Sequence, residues 1–198
     1  MCHVPLKVWN KIFPMSRLLV YDEEGKLLEK VEDPEQIAEK LSEINVLFER
    51  WEPSAPLSES AGEEEVLDAF KDEINRLMIR FGFQSCDVVS LTPDNPKKEE
   101  LRKKFLDEHT HSDFEVRYFV YGDGVFYLHP DDKVYVVHCK GGDLISVPPN
   151  TPHWFDMGEN PNFKCIRLFT TPEGWVANYT GSDIAKKFPK YEGIVALD

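Results

Sequence analysis

Positive charge is in short supply along this chain: 23 Lys and Arg stand against 36 Asp and Glu, a formal net charge of −13 over 198 residues. Such a surface repels a phosphate backbone instead of condensing onto it, so nucleic acid is not an expected partner. Cysteine is sparse as well. Cys2, Cys86, Cys139 and Cys165 form no Cys-x-x-Cys pair and follow no secretory apolar segment. The chain therefore offers no disulfide framework, and it reads as a cytoplasmic protein with reduced thiols. No apolar run approaches the ~20 residues that cross a bilayer, and segment 4–14 is interrupted by Pro5, Lys7, Asn10 and Lys11. No membrane partner is expected. Internal repeats and low-complexity segments are absent too, which leaves a chain long enough to bury one sizeable core without staples.

Residues 1–14 precede the first strand signal and read as an appended N-terminal arm, with residues 15–198 as a single domain. Met15 to Tyr21 reads as a strand ending at the turn Asp22-Glu23-Glu24-Gly25. Asp33-Pro34-Glu35 puts a capping carboxylate before a proline at the first helical position, and Ile37, Leu41 and Ile44 follow at helical spacing. Val66, Phe70, Ile74, Leu77, Met78 and Phe81 fall on one stripe, which predicts a helix stopped by Gly82. A third, charged helix is predicted over 97–105 after Asn95-Pro96.

From His109 onward the helical period gives way to alternation. Strands are predicted over 114–121, 125–129, 134–140, 144–148 and 163–169, separated by Gly- and Asp-rich turns. Short strands at nearly even spacing point to a mainly β fold, a barrel or double-sheet jelly roll with a few peripheral α-helices. Residues 182–188 suggest a short closing helix.

Within 107–117 the order Asp-Glu-His-Thr-His-Ser-Asp-Phe-Glu-Val-Arg sets His109 and His111 two apart, on one face of an extended segment. Glu115 has the same parity, although Ser112-Asp113 can turn or bulge the chain. Two imidazoles and a carboxylate are the donor set of a non-haem iron or related site. His-x-His-x-x-x-acidic arises by roughly 0.03 chance occurrences in a chain of this composition, which leaves three satisfied polar residues on a barrel rim as the alternative. His153, in Val-Pro-Pro-Asn-Thr-Pro-His-Trp-Phe, follows a strand, with prolines fixing the backbone and Trp154 and Phe155 able to exclude solvent; it reads as a fourth ligand.

Arg117 shares the face of Glu115, and its place beside a ligand suits an outer-shell role. Arg167 lies on alternate positions with Cys165 and Phe169, where a guanidinium needs an anion. A bound enolate and a salt bridge to an acidic residue such as Glu108 stand side by side as that anion. His129 and His138, at strand ends near acidic turns, read as solvated, and Cys139 and Cys165 as small buried hydrophobes. Trp175 reads as core or pocket wall.

These residues resemble the cupin superfamily, whose first motif is similar to His109-Thr110-His111 with Glu115 and Gly122, and whose second contains His153. They resemble more closely the acireductone dioxygenase family, in Asp94-Asn95-Pro96, Glu108-His109-Thr110-His111, Glu115-Val116-Arg117-Tyr118-Phe119-Val120, Thr151-Pro152-His153-Trp154-Phe155-Asp156-Met157-Gly158 and Pro172-Glu173-Gly174-Trp175. Two positions depart from the general cupin pattern: Lys103 and Asn150 stand where glycines are usual.

The resemblance implies a cupin-type jelly-roll β-barrel holding one Fe²⁺ or Ni²⁺ per chain with His109, His111, Glu115 and His153. It implies catalytic roles for Arg117 and Glu108, and a substrate pocket of Phe105, Phe155, Arg167 and Trp175. The implied reaction belongs to methionine salvage: O₂ cleaves the small-molecule enediol 1,2-dihydroxy-5-(methylthio)pent-1-en-3-one. With Fe²⁺ the products are 4-methylthio-2-oxobutanoate and formate; with Ni²⁺ they are 3-methylthiopropanoate, formate and carbon monoxide. The chain is expected to act as a monomer. Metal-dependent isomerases and decarboxylases of the same superfamily use the same donors and form one alternative. A non-catalytic metal- or small-molecule-binding cupin forms another.

Overall fold

The computed structural model describes residues 15–54, 57–171 and 175–197. The arm, residues 1–14, lies outside them, and so does Pro172-Glu173-Gly174. Two antiparallel sheets face each other. One runs in the order β12 (Asn178–Tyr179), β5 (His109–Thr110), β10 (His153–Asp156), β7 (Asp123–Leu128), β8 (Lys133–Lys140), β1 (Arg17–Asp22), β2 (Leu27–Val31). The other runs β3 (Leu47–Arg50), β9 (Asp143–Val147), β6 (Glu115–Tyr121), β11 (Phe163–Phe169), β4 (Ser85–Leu91). This is the expected double-sheet barrel, and the five strands read from alternation match β6, β7, β8, β9 and β11 to within two residues at each end.

Alternation decides which side chains enter the barrel. Leu18 and Val20 of β1, Phe126 and Leu128 of β7, and Val137 and Cys139 of β8 meet Phe119 of β6, Ile145 and Val147 of β9 and Cys165 of β11 between the sheets. The opposite faces are also covered. Val116 and Tyr118 of β6 and Ile166 and Leu168 of β11 pack against Val66, Phe70, Ile74 and Leu77. Leu19 and Tyr21 of β1, with Tyr127 and Trp154, pack against Ile184, Phe188 and Ile194 near the C-terminus. Each such side chain removed from water contributes about 1.5–3 kcal/mol before the entropy of ordering is counted.

Helix α1 (Pro34–Ser42) starts as its sequence requires: the Asp33 carboxylate accepts from the Gln36 amide at 3.0 Å, and Ile37 and Leu41 are buried. The stripe from Val66 to Phe81 forms two helices instead of one, α2 (Glu63–Ala69) and α3 (Lys71–Phe81), because Phe70 leaves the helical region (φ −117°, ψ 20°). Its ring lies 4.6 Å from that of Tyr118 and 6.4 Å from that of Trp51, so packing on the sheet replaces the missing helical turn. Gly82 ends α3 at φ 74°, as predicted.

The charged segment forms α4 (Lys98–Leu106), and 182–188 contains a 3-10 turn (Ile184–Lys187) followed by α5 (Tyr191–Val195). No helix among the described residues is long and apolar enough to cross a membrane.

Candidate metal centre

His109 on β5 and His153 on β10 sit directly opposite each other in the ladder, so both side chains leave the seven-stranded sheet on one face. Glu115 comes from the other sheet, at the start of β6, opposite Val147 of β9. The segment between swings from one sheet to the other at Ser112-Asp113. There the Asp113 carboxylate accepts from the Phe114 amide at 2.7 Å and from the Thr170 amide at 2.9 Å. His111 is carried on this crossover, and its carbonyl accepts from the Asn150 amide at 2.8 Å, which ties the two motifs together. Asn150 has φ 62°, a left-handed conformation that asparagine tolerates among non-glycine residues, which accounts for its standing where a glycine is usual.

The four side chains are buried, and one donor atom from each lies within 4.8 Å of the others. Each imidazole is turned the same way. Nδ1 of His109 faces the Asp107 carbonyl at 2.8 Å, Nδ1 of His153 faces the Thr151 carbonyl at 2.7 Å, and Nδ1 of His111 faces the Val176 carbonyl at 2.8 Å. A carbonyl only accepts, so each Nδ1 carries the proton and each neutral ring presents a lone pair at Nε2. Two of those lone pairs point at a carboxylate: Glu115 Oε2 lies 3.0 Å from His111 Nε2 and 2.9 Å from His153 Nε2.

Lone pairs at that distance repel unless a positive charge lies among them. One divalent cation satisfies all four donors at once. Its bonds of ~2.1 Å place neighbouring ligand atoms ~3 Å apart, the separation found between Glu115 and both His111 and His153. The residues present therefore fit a metal ion.

The surrounding charges act unequally on the donors. Burial and the neighbouring His153 push His109 down to about 4, so its ring is neutral near pH 7. Burial pulls His111 down, but the Glu115 carboxylate outweighs it and raises this group. For Glu115 burial opposes ionisation, yet Arg117, His111 and His153 hold it well below the usual carboxylate range.

Arg117 donates from Nε to Glu115 Oε1 at 2.9 Å. Its guanidinium lies 4.5 Å from the centre of the Phe155 ring, 5.4 Å from Trp175, 5.6 Å from Phe105 and 5.7 Å from Phe126. Three of the four residues expected in the pocket thus surround one cation. Trp175 is fixed by its indole N–H, which donates to the Phe114 carbonyl at 2.8 Å, and it stacks 6.2 Å from His111.

Other residues differ from the sequence reading. Arg167 lies opposite Arg117 in register, but its guanidinium is paired with both oxygens of Asp87, at 2.9 and 2.6 Å, not with Glu108. It also stands 5.4 Å over Trp175. The Glu108 carboxylate accepts from the Thr180 hydroxyl at 2.7 Å and meets His129 Nδ1 at 2.7 Å. His129 and His138 are not simply solvated: His129 is held between Glu108 and Glu23, and His138 is fully buried against Asp123 at 2.7 Å. Strand pairing brings those partners together, and no local motif announces it. Sequence reasoning also missed the carbonyls of Asp107, Thr151 and Val176, and Tyr179, whose ring lies 6.0 Å from His109. Backbone acceptors leave no mark in residue identity.

An antiparallel double-sheet barrel with three histidines and a glutamate converging inside it defines a metal-binding cupin. The chain belongs to the ARD/ARD' family, whose model matches residues 17–177. It is 72% identical over 181 residues to an acireductone dioxygenase of Aquifex aeolicus (strain VF5), covering 91% of this chain and 99% of that protein. It is 57% identical over 183 residues to an acireductone dioxygenase of Hydrogenobaculum sp. (strain Y04AAS1), covering 92% and 100%. Among solved structures it is similar to an acireductone dioxygenase from Bacillus anthracis with a cadmium ion in its active center. That match has a TM-score of 0.74 and 33% identity, and covers 83% of this chain and 98% of the other.

Proposed function

We propose that this chain is an acireductone dioxygenase of methionine salvage, cleaving 1,2-dihydroxy-5-(methylthio)pent-1-en-3-one with O₂. The observation that carries this reading is the set of three inward Nε2 lone pairs and one carboxylate converging beside an arginine walled by aromatic rings. His109, His111, Glu115 and His153 would hold one Fe²⁺ or Ni²⁺, whose residual positive charge and open positions suit an enediolate and O₂.

Arg117 is already committed to Glu115 through Nε, and its outer nitrogens offer a fork for the substrate anion. Phe105, Phe155 and Trp175 keep water from that charge, which strengthens every electrostatic contact inside. Glu108 orients β5, and with it His109, through Thr180 and His129. Arg167, neutralised by Asp87, supports Trp175 at the pocket edge. One chain supplies all four donors, which supports action as a monomer with residues 15–198 as the working unit. Free thiols at Cys86, Cys139 and Cys165 accord with the cytoplasm.

Apo-protein reconstituted separately with Fe²⁺ and Ni²⁺ tests the reading. O₂ uptake with the enediol is expected from both, giving 4-methylthio-2-oxobutanoate and formate with Fe²⁺, and 3-methylthiopropanoate, formate and headspace carbon monoxide with Ni²⁺. Metal-loaded protein that consumes no O₂, or that isomerises or decarboxylates without it, would overturn the assignment in favour of another cupin chemistry.

A further inference from the structure

Helix α4 carries Phe105, one wall of the pocket, and leads directly into β5 and His109, yet none of its residues is fully buried. Its apolar side chains on the barrel core, Leu101 and Phe105, are only partly covered. Such a segment, with few buried contacts next to a binding site, belongs to the low-stability end of a fold. Its polar attachments are correspondingly specific.

Arg102, one turn before Phe105, donates from Nε and Nη2 to the two oxygens of Asp156 on β10, at 2.7 and 2.9 Å, and from Nη2 to Glu192 on α5 at 2.8 Å. Asp156 is fully buried and also accepts from the amides of Gly158 and Tyr191, at 3.0 and 2.9 Å. The two ends of α4 are held more loosely, by Lys98 on Asn160 at 3.1 Å and by the exposed Tyr179 hydroxyl donating to the Lys104 carbonyl at 2.9 Å. Asp156 stands next to Phe155 and three residues after His153. The Arg102–Asp156 fork therefore joins the two segments that bring His109 and His153 face to face.

We propose that Arg102 is a positioning residue that latches α4 across the pocket, keeping Phe105 seated by Arg117. The bidentate pair is the main fastening of an otherwise movable wall. An Arg–carboxylate fork of this kind fixes direction as well as distance, which a lysine cannot do. The consequence for catalysis rests on the dioxygenase reading above, whereas the latch itself does not.

The metal-loaded full chain is compared with R102Q, R102K, E192Q, F105A and the R102Q/F105A pair. R102Q is expected to raise KM for the enediol about tenfold while kcat stays within about twofold, because a displaced wall weakens substrate binding more than the chemical step. R102K is expected to fall between R102Q and the unaltered chain, and E192Q to change KM less than R102K. Amide hydrogen exchange over 98–106 is expected to accelerate at least about tenfold in R102Q, with β6 and β8 unchanged. R102Q/F105A is expected to be no worse than F105A alone, since the latch acts through Phe105.

Unaltered exchange over 98–106 in R102Q would overturn the latch. Faster exchange with unchanged KM would overturn its link to the pocket, and additive KM penalties in the pair would show that Arg102 acts elsewhere. If the unaltered chain shows no O₂ uptake, the functional reading fails, and the exchange measurement alone decides the latch.

Discussion

The five histidines among the described residues form two groups that burial does not separate. His138 is 0% exposed and His109 1%, yet only the second presents a donor to a metal. His109, His111 and His153 give Nδ1 to backbone carbonyls, which sets the tautomer and aims a free lone pair inward. His138 gives Nε2 to Asp123, and His129 gives one nitrogen to Glu108 and the other to Glu23. In the first group each Nδ1 is held by a carbonyl and the three rings converge with one shared carboxylate, Glu115, which is itself a fourth donor; in the second each ring meets a carboxylate outside any such cluster. Convergence of donors, more than burial, separates a ligand from a structural polar contact.

The most severe test removes a donor from the first group. Glu115→Ala and His153→Ala are each expected to lose the metal on dialysis and to drop activity to background, well beyond the ~10–100-fold that loss of an outer partner costs. Metal analysis and O₂ uptake measure both. A full equivalent of metal retained in its original geometry by either variant would break the distinction between the groups.

Arg117→Lys sharpens it at the next shell. A lysine keeps the charge but not the fork that holds Glu115 while facing the substrate, so kcat/KM is expected to fall ~10–100-fold with the metal still bound. Wild-type kcat/KM in this variant would reduce Arg117 to a counter-charge for Glu115.

Legibility in the sequence follows the same line between identity and pairing. Residues 163–169 were readable as a strand because their apolar run lies between clear turns, and α1 because Asp33-Pro34 marks its start. Strand β10 was hidden: Pro148, Pro149 and Pro152 signal a loop, although four residues beyond them pair with β7 and β5. Strand β4, only half-buried at a sheet edge, lacked a strong apolar alternation. Gly122 was visible as a motif glycine, and the fold supplies its reason: at φ 77° any side chain would collide with the Asn162 carbonyl. His109, His111 and Glu115 were legible by their spacing, and His153 by the prolines and aromatics around it. Arg167's partner Asp87 was not, because it is 80 positions away and arrives only through the β4–β11 ladder.

Glu108→Gln probes the boundary between the groups, since Glu108 precedes a ligand yet binds His129. A glutamine retains an acceptor for Thr180, so a positioning role predicts a loss in kcat of less than about tenfold. A group that moves the substrate proton would cost about 10²–10⁴-fold. Stopped-flow turnover with metal analysis decides between them.

The smallest effect on activity is expected from Asp123→Asn, where only the second group is touched. Asp123 meets His138 at 2.7 Å and accepts from the Tyr191 hydroxyl at 2.8 Å, with no contact to the four donors. Turnover and metal content are therefore expected to stay within about twofold, while stability near neutral pH falls by ~1 kcal/mol as a half-buried charge-assisted bond is lost. The pH dependence identifies the cause. Burial alone would raise Asp123, but His138 and Tyr191 outweigh it and hold the group below its ordinary 3.8. The folded chain then takes up this proton less readily than the unfolded chain. Its contribution is fully present above the unfolded value and is lost as the pH falls through the lower, folded one. Denaturant melts of the two proteins are thus expected to differ near neutral pH and to converge only as the pH falls below the ordinary 3.8 and through the lower, folded value. A gap independent of pH would mean that Asp123 acts through packing, and that His138 is held by its surroundings instead of by this carboxylate.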